Sequence, residues 1–382
     1  MSYVTIFTAA YQRAATLPRL YASIQRQTSK HFEWIVVDDG STDGTEALVR
    51  GWASEEQVFP IRYVRQPHGG KHRAHNRAVQ MARYEAFFIV DSDDYLADDA
   101  IEKVEAWFSE IEYDNRFAGV SGLRAHFDEQ IFGGNGGGRV IDATNIEREK
   151  YDLLDEKAEV YKTSILRQFP FPEFPGEDFV GEGVVWDVIA VAGYKLRWHP
   201  EVTQFCEYQA DGLTRNRVER DRRNPLGSLA YLRIMRGFQA KATVQLAYVD
   251  WYSRGLGTSA IKNLLPEEGE MIHLVLEVLK NEIRNFVQTQ RLRSLALYGM
   301  GHYGRSFSRF RDMWGVSVPY AMDRQPMESY DGLSVYLPEE EPEPHADGVL
   351  VLIKQYDPDL EAQLRASHRA VAWLADVLEA SL

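Results

Sequence analysis

The first hundred residues alternate short apolar runs with amphipathic stretches, a pattern typical of strands that are each followed by a helix. Four apolar runs, each predicted to form a buried strand, span residues 4–7, 34–37, 61–64 and 87–90. Helices are predicted to begin near Thr16, Thr45 and Lys71, and Pro18 suits the first turn of the first helix. This order predicts a mostly parallel sheet with helices on both faces.

The rest of the chain changes character twice. Residues 95 to about 215 mix both patterns, residues 223–291 favour helices without strong strand signals, and strand–helix alternation restarts near 293. We therefore predict a first domain at 1–222, a helical linker or subdomain at 223–291 and a C-terminal domain at 292–382. Within the last one, the run Glu339-Glu340-Glu341-Pro342-Glu343-Pro344 is predicted to be a solvated acidic turn.

Composition narrows the class of protein. The 382 residues are 45% hydrophobic and 26% charged, which excludes a disordered or collagenous chain, and the net charge of −14 argues against nucleic-acid binding. The single cysteine, Cys206, excludes an internal disulfide framework. Neither a signal-peptide pattern nor an apolar run of about 18 residues is present, so we predict a cytoplasmic protein with at most peripheral membrane contact.

Acidic clusters follow two of the predicted strands. Asp38-Asp39 ends the second strand, and Asp91-Ser92-Asp93-Asp94 ends the fourth. Adjacent carboxylates repel one another, and a divalent cation such as Mn²⁺ or Mg²⁺ removes that penalty. A solvated strand end or a helix cap is the alternative for either cluster alone. The two clusters ending neighbouring strands favour a ligand site, because ligands of such sheets bind outside the carboxyl ends of the strands.

A basic segment lies between these clusters. Gly69-Gly70-Lys71 opens the third predicted helix, where glycines permit close backbone approach and the helix N-terminus favours an anion. His72, Arg73 and Arg77 extend this positive island in an acidic chain. Acidic strand ends beside a basic helix start predict a site for a metal-bound diphosphate.

With these motifs in view, residues 3 to about 215 resemble the family 2 glycosyltransferases, which have the GT-A fold. The resemblance rests on four motifs in the family's order, namely Ala9-Ala10-Tyr11-Gln12, residues 34–43, Gly69-Gly70-Lys71 with Asn76, and the Asp-X-Asp-type run Asp91-Ser92-Asp93-Asp94. It implies an α/β fold with a nucleotide-sugar-binding mixed sheet. It also implies inverting, metal-dependent transfer from a nucleotide sugar, most often a UDP-sugar.

The resemblance assigns roles to individual residues. Tyr11 would flank the uracil, and Asp39 would accept a hydrogen bond from the imide N–H of that base. Lys71 would lie near the nucleotide. The implied donor-binding set is Ala9, Tyr11, Asp39, Lys71, Asp91 and Ser92. The implied ligands of Mn²⁺ or Mg²⁺ are Asp93, Asp91 and Asp94, and the sequence leaves open which of them touches the ion.

An inverting transferase needs one general base, which removes a proton from the acceptor hydroxyl. Glu182, followed by Trp186, fits the family's usual distance to Gly193-Tyr194-Lys195, and we favour it as the base. Asp178 is the second candidate, because Glu177-Asp178 matches the family's Glu-Asp signature literally, and Glu177 is the third. The segment at residues 207–214 resembles a loop near the end of the family's catalytic domain, and closing the site and forming a plain turn are equal alternatives for it.

A glycine-rich turn follows a strand in the C-terminal part. Gly299-Met300-Gly301-His302-Tyr303-Gly304 precedes a predicted helix, and Asp323 ends the next strand, as in a dinucleotide-binding fingerprint. About 90 residues are too few for a complete dinucleotide enzyme, so we predict a small Rossmann-like domain that is vestigial or regulatory, with nucleotide binding as the alternative. This domain is also where we expect a second copy or a biosynthetic partner to bind.

The sequence therefore predicts an inverting glycosyltransferase that uses a saccharide or lipid-linked saccharide acceptor, in surface polysaccharide synthesis. Two alternatives remain. A sugar-phosphate nucleotidyltransferase shares the sheet and the metal, but its glycine-rich loop with Arg and Lys after the first strand is missing from Ala9-Ala10-Tyr11-Gln12-Arg13. A non-catalytic assembly scaffold is the other alternative, and the intact carboxylates argue against it.

Overall fold

The structure is a computed structural model, and it describes residues 3–55, 58–206, 217–239, 241–254, 261–353 and 356–374. The loop at residues 207–214 lies outside these ranges. The chain forms two compact units, Met1–Phe238 and Gln239–Leu382.

A mixed sheet forms the centre of the first unit. Its strands are β1 (Val4–Ala10), β2 (Phe32–Asp38), β3 (Ile61–Arg65), β4 (Ala86–Ile89), β5 (Tyr95–Leu96), β6 (Phe117–Ala125), β7 (Ile141–Ala143), β8 (Lys157–Lys162) and β9 (Lys195–Phe205). Their order is β3-β2-β1-β4-β8-β6-β9-β5, with β7 paired to β9. The pairs among β3, β2, β1 and β4 are parallel, whereas β8 is antiparallel to both β4 and β6. The four predicted strands and the mixed α/β fold are thereby confirmed.

Helices cover both faces of this sheet. They are α1 (Leu17–Arg26), α2 (Thr45–Ser54), α3 (Lys71–Met81), α4 (Ala100–Ile111), α5 (Thr163–Leu166), α6 (Gly183–Val191), α7 (Arg217–Arg223) and α8 (Pro225–Met235), with a 3₁₀ helix at Asn145–Tyr151. Ile6 of β1 packs in one apolar cluster with Leu20 of α1, and its neighbour Phe7 packs in another with Ala78 of α3. Successive strand residues point to opposite faces, so both faces need apolar cover.

The first unit extends past residue 222, the boundary that we predicted from the change in the pattern of strands and helices. The side chain of Asn224, just before α8, accepts hydrogen bonds from the backbone N–H groups of Asp178 and Phe179 at 2.7 and 2.9 Å. These bonds fasten α7 and α8 to the segment before α6, so both helices belong to the first unit. The helices after 240 pack in the second unit.

The second unit is a smaller α/β layer. Its helices are α9 (Lys241–Ser253), α10 (Pro266–Thr289), α11 (His302–Ser308) and α12 (Pro358–Ser367), with 3₁₀ helices at Arg311–Met313 and Pro338–Glu340. Its strands are β10 (Leu295–Tyr298), β11 (Ala321–Met322), β12 (Ser329–Tyr330), β13 (Leu333–Tyr336), β14 (Gly348–Val351) and β15 (Ala370–Trp373). The sheet order is β12-β13-β11-β10-β14-β15, parallel except for the β12–β13 pair. Such a parallel sheet agrees with the predicted Rossmann-like pattern.

Two details of the second unit concern predicted features. The carboxylate of Asp323 accepts the backbone N–H of Met300, so the acid and the glycine turn are joined within the chain. The acidic turn is not fully solvated, because Glu341 is buried against Tyr320 and against His368, whose Nε2 lies 2.7 Å from Glu341 Oε1. Of the helices within the described ranges, none combines the length and hydrophobicity that crossing a lipid bilayer requires.

Candidate functional site

The carboxyl ends of β1, β2 and β4 lie side by side and carry the predicted donor-site residues. β1 is parallel to both β2 and β4, with Ala10 opposite Asp38. Ala9 lies near the end of β1, Tyr11 follows that strand, and the N–H of Asp39 donates to the carbonyl of Ala10 at 2.8 Å. The sheet therefore brings together, at one edge, motifs that are far apart in the chain.

The carboxylate of Asp39 organises the glycine turn before α3. Asp39 is only 3% exposed, and it accepts the backbone N–H groups of Gly69 at 3.1 Å and Gly70 at 2.7 Å. Gly70 has φ +97°, and a Cβ there would lie 1.8 Å from the carbonyl oxygen of Asp178, so no other residue fits. Asp39 thus has a structural role in addition to any contact with a ligand.

Lys71 joins the two carboxylates at the centre of the site. Its Nζ contacts Asp91 beyond β4 and lies 2.8 Å from Oε1 of Glu182, the residue that precedes α6. Burial alone would lower the pKa of Lys71, but the two carboxylates raise it above its ordinary value, so the side chain is cationic. Burial opposes ionisation of Asp91, yet Lys71 and Arg124 lower its pKa to about 2.

Arg124 forms a second charged centre beneath the acidic run. Its buried guanidinium lies 3.5 Å from Asp91 Oδ2, 3.9 Å from Asp94 Oδ2 and 3.2 Å from Glu156 Oε2. Burial raises the pKa of Asp94 to about 8, and the Gln204 amide donates a hydrogen bond of 2.5 Å to its Oδ2. Asp94 is therefore held inside the fold rather than directed toward a ligand.

Asp93 is the most available of the three predicted metal ligands. Its closest ion pair is a long contact of 3.9 Å with Arg13, which also bonds Ser92 Oγ at 3.2 Å, and its side chain is 22% exposed. Among the residues that the structure describes, no three His, Cys, Asp or Glu side chains are grouped as an all-protein cation site requires. These residues fit a cation that one carboxylate shares with substrate phosphates, the usual arrangement for Mg²⁺ in phosphate-transfer sites.

The three candidate bases have different surroundings. Glu177 is only 7% exposed, and its two oxygens accept the backbone N–H groups of Leu226 and Gly227 at 2.8 Å each, so it caps α8. Asp178 Oδ2 lies 3.9 Å from Nε2 of His68, on the Asp39 side of the site. Glu182 has a 44% exposed side chain and faces Lys71. Glu177 is thereby occupied, while the other two remain open to an acceptor.

Several residues of the site were not predicted from the sequence. His68 stacks on Tyr11, with ring centroids 4.1 Å apart, and Arg13, Arg124 and Gln204 contact the acidic run. Arg124 does leave a signal, because it is the only charged residue in the otherwise apolar and small run Phe117–Ala125. His68 directly precedes the glycine pair, but no periodicity marks it.

Part of the chain is similar to known glycosyltransferases. Residues 5–131 match the model of glycosyl transferase family 2. Over 102 residues, or 26% of this chain and 39% of the relative, the chain is 32% identical to TuaG of Bacillus subtilis, named for teichuronic acid biosynthesis. Over 100 residues, or 26% of this chain and 10% of the relative, it is 36% identical to a chondroitin synthase of Pasteurella multocida. The chain thus spans well under half the length of these relatives.

A solved structure has a similar fold. The 1–349 fragment of S. aureus TarS in complex with UDP matches with a TM-score of 0.51 and 14% identity, covering 82% of this chain and 89% of that one. The same fragment in complex with UDP-GlcNAc matches with a TM-score of 0.50 and 15% identity, at the same coverage. At such low identity, the likeness concerns the fold alone.

Proposed function

Because residues 5–131 match the model of glycosyl transferase family 2, we propose that the chain transfers a sugar from a UDP-sugar to a hydroxyl group of a saccharide or lipid-linked saccharide, with inversion at the anomeric carbon. The observation that carries the proposal is the double ion pair of Lys71 with Asp91 and Glu182. The positive charge of Lys71 thus lies between Asp91, which is proposed to face the donor, and Glu182, which is proposed as the base. The family assignment also disfavours a nucleotidyltransferase.

The donor end of the site is proposed to hold the nucleotide. Tyr11 is 44% exposed, which leaves an aromatic surface on which a base stacks, and Asp39 supplies the acceptor for an imide N–H. Ala9, Asp91 and Ser92 line the neighbouring strand ends, and Lys71 brings a positive charge near the phosphates. The choice of UDP is supported by TarS, which has a similar fold and binds UDP and UDP-GlcNAc.

The transfer itself is proposed to be a single displacement. Glu182 removes the proton of the acceptor hydroxyl as the hydroxyl oxygen attacks the anomeric carbon of the sugar. The bond from that carbon to the diphosphate breaks, and the diphosphate leaves toward the strand ends. Lys71 stays cationic throughout, and its fixed charge stabilises the negative charge that develops on the leaving group. Lys71 therefore contacts the proposed base and is close to the departing diphosphate.

A divalent cation, Mn²⁺ or Mg²⁺, is proposed to bind with the donor. Asp93 would be its main protein ligand, because Asp91 is paired with Lys71 and Asp94 is bonded to Gln204. When bound, the cation neutralises charge on the diphosphate and so assists its departure. Asp91 and Asp94 would hold the run in place around it.

The biological setting is also a proposal. The similarity to TuaG and to a chondroitin synthase supports a role in polysaccharide synthesis. We propose that the enzyme works in the cytoplasm, with peripheral contact at the inner membrane face where lipid-linked acceptors are made. The second unit is proposed to bind a second copy or a biosynthetic partner.

The test uses a panel of nucleotide sugars in the presence of Mn²⁺. It measures the release of free nucleotide and the shift in the thermal stability of the protein. A UDP-sugar should stabilise the protein and be turned over slowly by water without an acceptor. Asp39→Asn is the matched variant, because it keeps the size of the side chain while replacing one acceptor oxygen by an NH2 donor. It should reduce UDP binding more than pyrophosphate binding. A preference for GDP-sugars, or no binding of any nucleotide sugar, would contradict the proposed donor.

A further inference from the structure

The imidazole of His68 lies against the two side chains that are proposed to hold the donor base. Its ring stacks on Tyr11 with centroids 4.1 Å apart and planes inclined by 21°. Its Nδ1 lies 2.8 Å from Asp39 Oδ2. A uracil in this site would make the same pair of contacts, with a ring stacked on Tyr11 and a ring nitrogen facing Asp39.

Three N–H donors other than His68 already use most of the acceptor capacity of Asp39. Gln66 Nε2 donates to its Oδ1 at 2.8 Å, and Gly69 N–H approaches both oxygens at 3.1 Å. The N–H of Gly70 donates a hydrogen bond of 2.7 Å to Oδ2 of Asp39. A carboxylate offers about four acceptor positions, so the direction from which His68 Nδ1 approaches is the one left for another ring nitrogen.

We propose that His68 occupies the base subsite in the donor-free protein, and that a uracil base enters by displacing this side chain. The inference rests on the proposed function, because it takes from it the roles of Tyr11 and Asp39. His68 thereby acts as an internal competitor of the base. Each donor molecule must first break the His68 contacts, so the measured affinity is lower than the affinity of the vacated site.

The surroundings of His68 allow this exchange. The side chain is 44% exposed, and its Nε2 has only a long contact of 3.9 Å with Asp178 Oδ2 among the described residues. Rotating the side chain toward solvent therefore opens no buried cavity. The exchange breaks the contacts of Nδ1 with the carboxylate of Asp39 and, at 3.2 Å, with the backbone carbonyl of the same residue. The contacts of Gly69 and Gly70 with Asp39 do not involve the His68 side chain, so the turn keeps its shape.

The experiment compares ligand binding by wild type and His68→Ala, measured by calorimetry with Mn²⁺ present. UDP and inorganic pyrophosphate are the two probes, because only UDP carries a base. Loss of one aromatic stacking competitor should tighten UDP binding about 3- to 10-fold. Pyrophosphate binding should not change. His31→Ala is the matched control, since His31 also packs on a tyrosine, Tyr3, and contacts a carboxylate, Glu105.

The possible outcomes separate this inference from the proposed function. Equal or weaker UDP binding by His68→Ala would overturn the inference and leave UDP as the donor nucleotide, with weaker binding meaning that His68 helps to hold the base. Equal tightening of UDP and pyrophosphate would also overturn it, because the effect would then not concern the base. If neither protein bound UDP, the proposed donor and the inference would both fail.

Discussion

Lys71 Nζ lies 2.8 Å from Glu182 Oε1, an ion pair that joins the first residue of α3 to the residue preceding α6. The two residues are distant in the chain, and the same lysine contacts Asp91 beyond β4. Glu182 therefore contacts the lysine at the centre of the candidate site, whereas Glu177 is held by the N–H groups of Leu226 and Gly227. Substitutions at Glu182 and at the carboxylates around it therefore test the proposed chemistry directly.

Glu182→Gln should lower kcat by about 10²–10⁴-fold, the usual contribution of a positioned general base. The amide keeps an oxygen that accepts a hydrogen bond from Lys71, so the dissociation constant of the donor should stay near the wild-type value. The measurement is transfer at saturating donor, together with donor binding by calorimetry.

Asp178→Asn is the side-by-side comparison for Glu182→Gln. Because Asp178 faces His68 rather than Lys71, this variant should retain most of the wild-type kcat. An inactive Asp178→Asn beside a fully active Glu182→Gln would assign the base to Asp178 instead.

Asp93→Asn should abolish activation by Mn²⁺ without changing the fold. The side chain is near the surface and its ion pair with Arg13 is long, at 3.9 Å, so the free energy of unfolding should change by no more than about 0.5 kcal/mol. Rates measured against Mn²⁺ concentration, with EDTA as the zero point, check this. Asp98→Asn, the same change at an exposed aspartate paired with Arg26, should leave the Mn²⁺ dependence intact. Undiminished Mn²⁺ activation in Asp93→Asn would rule out Asp93 as the main ligand.

Glu177→Ala should destabilise the first unit and spare the chemistry. It leaves the N–H groups of Leu226 and Gly227 without their acceptor, which we expect to cost about 1–3 kcal/mol of unfolding free energy. Denaturant unfolding measures the loss, and kcat per folded molecule should remain close to wild type. Glu201→Ala, at an exposed position in β9, is the control and should be nearly neutral. A stable but inactive Glu177→Ala would mean that Glu177 takes part in the reaction.

His75→Phe should make the first unit less sensitive to acid. His75 is buried among Phe7, Phe87, Phe171 and Trp186, and neither of its ring nitrogens has a hydrogen-bond partner within the described structure. Burial, reinforced by the charge of Lys71, lowers its pKa to about 3, against about 6.5 in the unfolded chain.

The sign of this effect follows from proton linkage. Below about pH 6.5, His75 binds a proton in the unfolded chain but not in the folded protein. The free energy of unfolding therefore falls as the pH falls, until about pH 3. One such group contributes about 1.4 kcal/mol for each pH unit, and His75→Phe should remove that contribution to the slope. Unfolding free energies between pH 4.5 and 7 test it. His31→Phe, at a half-exposed ring beside Glu105, is the matched variant that replaces a histidine by phenylalanine outside the core. An unchanged slope in His75→Phe would show that His75 is not the titrating group.

The elements of the first unit and its candidate chemistry can be predicted from the chain alone. Strands β1 to β4 and the starts of α1 to α3 are predictable, because the spacing of apolar residues is a local property of the sequence. Apolar residues recur at every second position in a strand and at every third or fourth position in a helix. Since parallel strands end at one edge of a sheet, the same pattern also brings the acidic runs at 38–39 and 91–94 together.

Which of these side chains are free to act depends instead on contacts between distant parts of the chain. Both Glu177 and Glu182 are candidate bases in the sequence, but Glu177 caps α8 about fifty residues away and Glu182 contacts Lys71. Likewise, Glu341 lies in an acidic run yet is buried against His368, and His68 fills the space beside Asp39. The availability of a charged group is set by the groups that the fold packs around it, and the local pattern of the sequence does not contain that information.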